Sequence, residues 1–186
     1  MRIIGGYYRG KKIILPMDKK TRPLRDIVKE SIFNLIEHSK KIDVKIKDSF
    51  VLDLFAGSGS FGLECISRGA RKVTFIENYS KILNILKKNI NSINSNNNSI
   101  IIEKNCFDFF LKNHENVNNF DIIFLDPPFK EEKINFLVEK IKENKILKKN
   151  GIMIIHRHKK DNIKISEKMN ILDERIYGIS KITIGN

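Results

Sequence analysis

The chain has 186 residues, 41% of them apolar, and a formal net charge of +13. It contains no run of about eighteen apolar residues, the length a membrane helix needs, and its start, Met1-Arg2-Ile3-Ile4-Gly5-Gly6, lacks the layout of a secretory signal. Its two cysteines, Cys65 and Cys106, form neither a CxxC pair nor a zinc spacing, which excludes a disulfide framework and a structural zinc and points to a reducing, cytoplasmic setting.

Residues 1–20 alternate apolar and basic character around Gly5-Gly6 and Gly10, predicting short strands or a hairpin. Arg22-Pro23 marks a break. Val28, Ile32, Leu35 and Ile36 fall at a helical period and predict a helix over 24–39, followed by a charged connector over 40–47. The pattern then changes. Strands are predicted at 49–55, 72–77, 99–103, 120–126 and 151–156, alternating with helices at 60–68, 80–93, 107–112 and 132–145. Residues 171–177 and 180–184 suit a hairpin turning at Gly178. Alternating strands and helices imply parallel pairing through right-handed crossovers, hence a doubly wound α/β sheet with an antiparallel pair at one edge. Two parts are expected: a basic extension over 1–45 and the sheet domain over 46–186.

The positive charge suggests an anionic partner, most simply nucleic acid. Richness in Lys, Asn and Ile offers a compositional alternative, because lysine rises in coding sequences of low GC content. The arginines carry more weight. Four of the eight, Arg2, Arg9, Arg22 and Arg25, lie in the first thirty residues, beside Lys11, Lys12, Lys19, Lys20 and Lys29. Arginine grips phosphate through two parallel hydrogen bonds. Arg2, Arg9, Lys11, Lys12, Arg22 and Arg25 are the candidate nucleic-acid contacts.

Two stretches carry chemistry. Asp53-Leu54-Phe55-Ala56-Gly57-Ser58-Gly59-Ser60-Phe61-Gly62 ends the first strand of the sheet, and its glycines let backbone approach a ligand before turning into a helix. The embedded G-x-G-x-x-G alone equally suits a dinucleotide. Asp53 before the loop can attract a cationic ligand. Glu77 closes the second strand, where an acid can accept both hydroxyls of a ribose, and Asn105 follows the third, where it can frame an adenine edge. All three fall at carboxyl ends of predicted strands, where open α/β sheets bind ligands. The second stretch, Asp126-Pro127-Pro128-Phe129, ends the fourth strand. Its prolines fix two φ angles and remove two N–H donors, leaving a rigid turn of acceptors suited to a planar amine. Phe129 offers a face on which a flipped base can stack. The histidines suggest no site: His38 and His114 read as surface positions, and His156 and His158 flank a strand end, read as a solvated edge with RNA contact as the alternative. No metal constellation is visible.

Together, Asp53 to Gly59 and Asp126 to Phe129 resemble the class I methyltransferases of the amino-group type, whose fourth motif reads (D/N/S)PP(Y/F/W). Arg2-Ile3-Ile4-Gly5-Gly6 with Arg9-Gly10, Arg22-Pro23 followed by Ser31-Ile32-Phe33-Asn34, and Tyr177-Gly178 narrow the resemblance to the RsmD-type family. Those enzymes make N2-methylguanine in small-subunit (16S) ribosomal RNA, at the guanine numbered 966. The resemblance implies a Rossmann-like, seven-stranded, mostly parallel sheet with S-adenosyl-L-methionine as methyl donor. It places Asp53, Phe55, Ala56, Gly57, Gly59, Glu77, Asn78, Asn105, Cys106 and Asp126 around that cofactor, and Asp126, Pro127, Pro128 and Phe129 around the target amine. It implies ribosomal RNA as partner, within the small subunit or an assembly intermediate, and a monomer is expected. Leu24-Arg25 stands where the family often carries small hydroxyl residues, and His156-Arg157-His158 where an acidic residue is common. Two alternatives stay open: a DNA amino-methyltransferase acting on adenine N6 or cytosine N4, for which no separate target-recognition domain is visible, and a non-catalytic RNA-binding or assembly factor.

Overall fold

The computed structural model of the chain describes residues 1–16, 24–111 and 119–186. The Arg22-Pro23 break, His114 and the last residue of the predicted 107–112 helix lie outside them. Seven strands, β1 (Phe50–Asp53), β2 (Lys72–Ile76), β3 (Ser99–Ile102), β4 (Phe120–Leu125), β5 (Leu147–His158), β6 (Ile171–Tyr177) and β7 (Ser180–Gly185), form one sheet in the order β3-β2-β1-β4-β5-β7-β6. The first five run parallel; β7 is antiparallel to both β5 and β6. Helices α1 (Asp26–His38), α2 (Ser60–Ser67), α3 (Ser80–Ser92), α4 (Cys106–Leu111) and α5 (Ile134–Glu143) complete the α/β order. This is the doubly wound, mostly parallel sheet the sequence predicts, with the antiparallel pair at the edge.

The central strands are near-continuous apolar runs because both faces are covered. Alternate residues serve opposite layers. Val51, Ile122, Phe124, Ile152 and Ile154 pack with the apolar side chains of α1, α2 and α3, while Leu52, Ile123, Leu125, Met153 and Ile155 pack with those of α4 and α5. In the first layer Phe61 of α2 stacks on Phe124 of β4, with ring centroids 4.0 Å apart, and on Phe33 of α1 at 5.3 Å. β5 is longer than predicted at its start. Its first residues, Leu147-Lys148-Lys149-Asn150, carry no strand-like alternation, yet Leu147 pairs with Phe120 and Lys148 holds Asp121 at 2.8 Å.

The N-terminal segment folds as a short hairpin: Arg2 bridges Lys12 antiparallel, with Ile3 N–H donating to the Lys11 carbonyl at 2.9 Å and Ile13 N–H to the Met1 carbonyl at 3.0 Å. What fixes it is α2. Glu64, fully buried, accepts the N–H of Ile4 at 2.8 Å and of Gly5 at 2.7 Å, and it also accepts a bond from Arg68 Nε at 3.0 Å. Lys29 of α1 completes the cluster, 3.6 Å from Glu64 and donating to the Arg2 carbonyl at 2.7 Å. Lys29 is wholly buried, so this member of the basic N-terminal group is an internal cation and not a surface one. Gly6, at φ 73°, lies so close to α2 that a Cβ there would meet the Ser67 carbonyl oxygen at 1.9 Å. Ile3, Ile13 and Leu24 share the core layer of α1 and α2.

Removing one partner from a buried, hydrogen-bonded charge cluster leaves the others uncompensated. Glu64→Ala is expected to lower stability by about 3–5 kcal/mol, read by urea unfolding; a change near zero would contradict the tethering described here.

Candidate functional site

β1 and β4 are neighbours, with Asp53 opposite Phe124 in register, so the loops that follow them open side by side at the carboxyl edge of the sheet. The strand order runs outward in both directions from this pair, which makes the crevice between them the topological switch point where doubly wound sheets bind ligands. A cavity of about 520 Å³ occupies it. Asp53, Phe55, Ala56 and Gly57 from the first loop, Glu77 and Asn78 after β2, Asn105 and Cys106 after β3, and Asp126, Pro127, Pro128 and Phe129 after β4 all line it. The structure thus brings together every predicted cofactor and catalytic residue but one. Gly59 does not line the cavity; it precedes α2 in the left-handed region, at φ 83°, where a Cβ would also strike Leu86 Cδ1 at 2.6 Å. Its role is to turn the loop into the helix.

The walls are pre-set by hydrogen bonds. Leu54 donates to the Phe124 carbonyl at 3.0 Å and Ala56 to the Ile76 carbonyl at 3.1 Å, sewing the loop to β4 and β2. Glu77 Oε2 accepts the Gly57 N–H at 2.8 Å, while Oε1 accepts the N–H groups of Asn78 at 2.9 Å and Tyr79 at 2.8 Å. The carboxylate therefore clamps two loops while facing the cavity. Asn105 Oδ1 accepts the Phe107 N–H at 2.9 Å, an N-capping bond to α4. The buried Cys106 thiol is pushed up to about 12 by burial, so it is inert as a nucleophile at neutral pH. On the far side Asn89, buried in α3, accepts from Ile14 N–H at 2.9 Å and donates to the carbonyls of Ile14 at 3.0 Å and Ser58 at 2.9 Å. It ties the N-terminal segment to the glycine loop.

The floor is acidic. Asp53 is 1% exposed, and its Oδ1 has no hydrogen-bond partner among the described residues. Burial, reinforced by the charge of nearby Asp126, pushes its carboxyl up to about 8. A buried acceptor without a donor, beside two further carboxylates, suits a ligand that brings positive charge or N–H groups. Phe107 adds an apolar wall, its ring 6.3 Å from Phe55 and 6.2 Å from Phe136.

One prediction is overturned for one of its two residues. His156 is not solvated, while His158, at the end of β5, is half-buried. His156, 2% exposed, makes a 2.8 Å bond from Nδ1 to Asp126 Oδ1. Arg157, also buried, donates from its two terminal nitrogens to the carbonyls of Pro128 and Phe129, each at 3.2 Å, while its Nε pairs with Asp161. His158 lies edge-on to Phe129 at 5.0 Å. β5 extends beyond Ile155, its last register partner on β4, and runs directly behind the Asp126–Phe129 turn. The signal that could have found these residues is the charged triplet ending an otherwise apolar central strand.

Of the candidate nucleic-acid contacts, Arg2, Arg9, Lys11, Lys12 and Arg25 are exposed, and Arg22 lies outside the described residues. Among the described residues no helix is long and apolar enough to cross a membrane, and no group of three or more His, Cys, Asp or Glu is placed to hold a metal ion.

Comparison with known proteins agrees with this arrangement. The family described as Conserved hypothetical protein 95 matches residues 1–186. The ribosomal RNA small subunit methyltransferase D of Haemophilus influenzae is 37% identical over 180 residues, spanning 96% of this chain and 90% of that protein. The solved structure of yhhF from Escherichia coli superposes with a TM-score of 0.82 at 27% identity, covering 100% of this chain and 96% of the other. That of HI0767 from Haemophilus influenzae gives 0.77 at 33% identity, covering 99% and 96%. The sheet is that of the class I methyltransferases.

The Asp53 carboxyl generates a pH dependence. Its folded value, about 8, lies above the ordinary 3.8, so between those limits the folded chain holds a proton that the unfolded chain releases. This group's effect is therefore a loss of stability as pH rises across that window. The Tm of the ligand-free protein is expected to fall more steeply from about pH 5 to about pH 8 than that of Asp53→Asn; parallel slopes in a thermal melt series would refute the assignment.

Proposed function

The chain belongs to the RsmD-type family, described as Conserved hypothetical protein 95, and we propose on that ground that it transfers a methyl group from S-adenosyl-L-methionine to the exocyclic N2 of a guanine in 16S ribosomal RNA, the one numbered 966. The observation that carries this reading is the convergence of Asp53, Glu77 and the Asp126–Phe129 turn on one cavity at the switch point. The Haemophilus relative bears the name of a small-subunit ribosomal RNA methyltransferase, which supports the RNA class.

The residues fit the donor. It supplies an electrophilic methyl on a positively charged sulfur and carries a cationic amino group, and the cavity offers buried Asp53 with an unpartnered oxygen. Asp53, with the backbone of Phe55 to Gly57, would hold the methionine part, Glu77 and Asn78 the ribose, and Asn105 with the Cys106 backbone the adenine. Phe107 adds an apolar wall there.

The acceptor amine needs orientation more than activation. Its lone pair is delocalised into the guanine ring, and hydrogen bonds from its two hydrogens to acceptors would aim that lone pair at the methyl. The turn offers such acceptors. The Pro128 carbonyl already accepts from Glu131 N–H at 2.8 Å and from Arg157, and the Phe129 carbonyl accepts from Arg157. The Asp126 carboxylate, which can accept more than one bond, and the Pro127 carbonyl would take the amine's two hydrogens. Phe129 would stack on the flipped base. The gain is mainly positional, for which effective molarities of about 10⁵–10⁸ M are attainable, with stabilisation of positive charge developing on nitrogen by Asp126. The methylated amine is acidic and gives up its extra proton readily, so a strong base is not required. Exposed Arg2, Arg9, Lys11, Lys12 and Arg25, with Arg22, would grip RNA phosphates.

Incubation with labelled donor and small subunits lacking the modification, free ribosomal RNA or genomic DNA, followed by nucleoside mass spectrometry, tests the proposal. N2-methylguanosine in a ribosomal sample is expected. Methyladenine or methylcytosine in DNA would overturn the substrate assignment. Asp126→Ala should abolish turnover while donor binding, read by calorimetry, persists; undiminished turnover in that variant would refute the mechanism.

A further inference from the structure

We propose that His156 and Arg157 are positioning residues of the reaction, holding the Asp126–Phe129 turn in the geometry that receives the amine; the inference rests on the function proposed above. The geometry is specific. An ionised carboxylate only accepts hydrogen bonds, so the 2.8 Å contact from His156 Nδ1 to Asp126 Oδ1 places the proton on Nδ1. Anchoring Oδ1 sets the rotation of the carboxylate group and so the direction in which Oδ2 faces. Arg157 acts on the other half of the turn. Its planar guanidinium reaches two successive carbonyls, those of Pro128 and Phe129, with one 3.2 Å bond to each, and is itself held by Asp161. A lysine ammonium, a point charge, cannot reproduce that fork. The Phe129 ring is then bracketed by His156 at 6.0 Å and His158 at 5.0 Å, both edge-on.

A second observation separates positioning from mere packing. His156 Nε2 is buried with no hydrogen-bond partner among the described residues. An unsatisfied buried polar atom costs stability. An imidazole in an apolar strand end is a poor choice for stability alone, since an apolar side chain of similar volume would carry no such cost. What the ring supplies, and an aliphatic one cannot, is the Nδ1–H bond to Asp126.

The test uses the full chain with labelled donor and the ribosomal acceptor. His156→Leu removes the donor and keeps the volume; His156→Asn restores an N–H donor near the position of Nδ1; Arg157→Lys keeps the charge but not the fork. For His156→Leu, kcat is expected to fall about 10- to 100-fold, with KM for RNA and the Kd for donor within about twofold and Tm unchanged or raised. His156→Asn should recover most of that loss. Arg157→Lys should lower kcat with the same pattern. An active wild type alongside an undiminished kcat in His156→Leu, or in Arg157→Lys should the former fail to fold, overturns this inference and leaves the reaction standing. An equal loss in His156→Leu and His156→Asn would also overturn it, because packing and not the bond would then be at work. A wild type inactive on every acceptor overturns the reaction and the inference with it.

Discussion

The carboxylate of Glu64 is the contact on which the rest of the arrangement leans. It sits inside the protein, where an isolated charge would be prohibitive, and is tolerated because three donors and a cation converge on it: two backbone N–H groups from the N-terminal segment, the Arg68 side chain, and the Lys29 ammonium as an ion pair at 3.6 Å. Burial drives the Lys29 ammonium below its ordinary value, and Glu64 and Asp26 oppose that shift. Because those groups come from the N-terminal segment, α1 and α2, one residue sets the placement of three parts. α2 begins directly after the glycine loop, so the same cluster indirectly holds the wall of the cavity. Lys29 Nζ also lies 3.4 Å from Ser60 Oγ, at the first turn of α2.

Charge is segregated along the molecule. Net positive overall, the chain keeps Asp53, Glu77 and Asp126 around its cavity and leaves Arg2, Arg9, Lys11, Lys12 and Arg25 exposed outside it. Negative potential within the cavity and positive potential at the rim favour opposite ligands, a cationic centre inside and a polyanion outside. The two preferences oppose each other, which discourages a phosphate backbone from entering the acidic cavity while allowing a neutral base to do so.

The strands were legible because central parallel strands are buried on both faces, and a run such as Phe120-Asp121-Ile122-Ile123-Phe124-Leu125 reads as such in any register. The two loops were legible because few sequences place an acid before a glycine turn and before paired prolines. Other features depend on partners distant in sequence. The start of β5 looks polar because backbone pairing at Leu147 and the Lys148–Asp121 ion pair, not apolar burial, hold it to β4. Lys29 reads as one more surface cation until Glu64, thirty-five residues later, is folded against it. His156 reads as part of a wet strand end, and Arg157 suggests no role, because composition does not reveal that the turn after β4 folds back over them. Asn105 and Glu77 both bond to backbone as well as face the cavity, a dual role that residue type alone cannot disclose.

The position of β7 has a consequence for how the Asp126–Phe129 turn is kept in place. The strand lies between β5 and β6, and pairs His156 with Ile182 and Arg157 with Lys181. The stretch of β5 that reaches beyond β4 to back that turn is thus supported along its other edge by β7. Without that partner the β5 extension would present an open edge, and its register would be set by the turn alone. The antiparallel edge of the sheet therefore serves as a splint: it adds nothing to the lining of the cavity, yet it stiffens the backing of one wall.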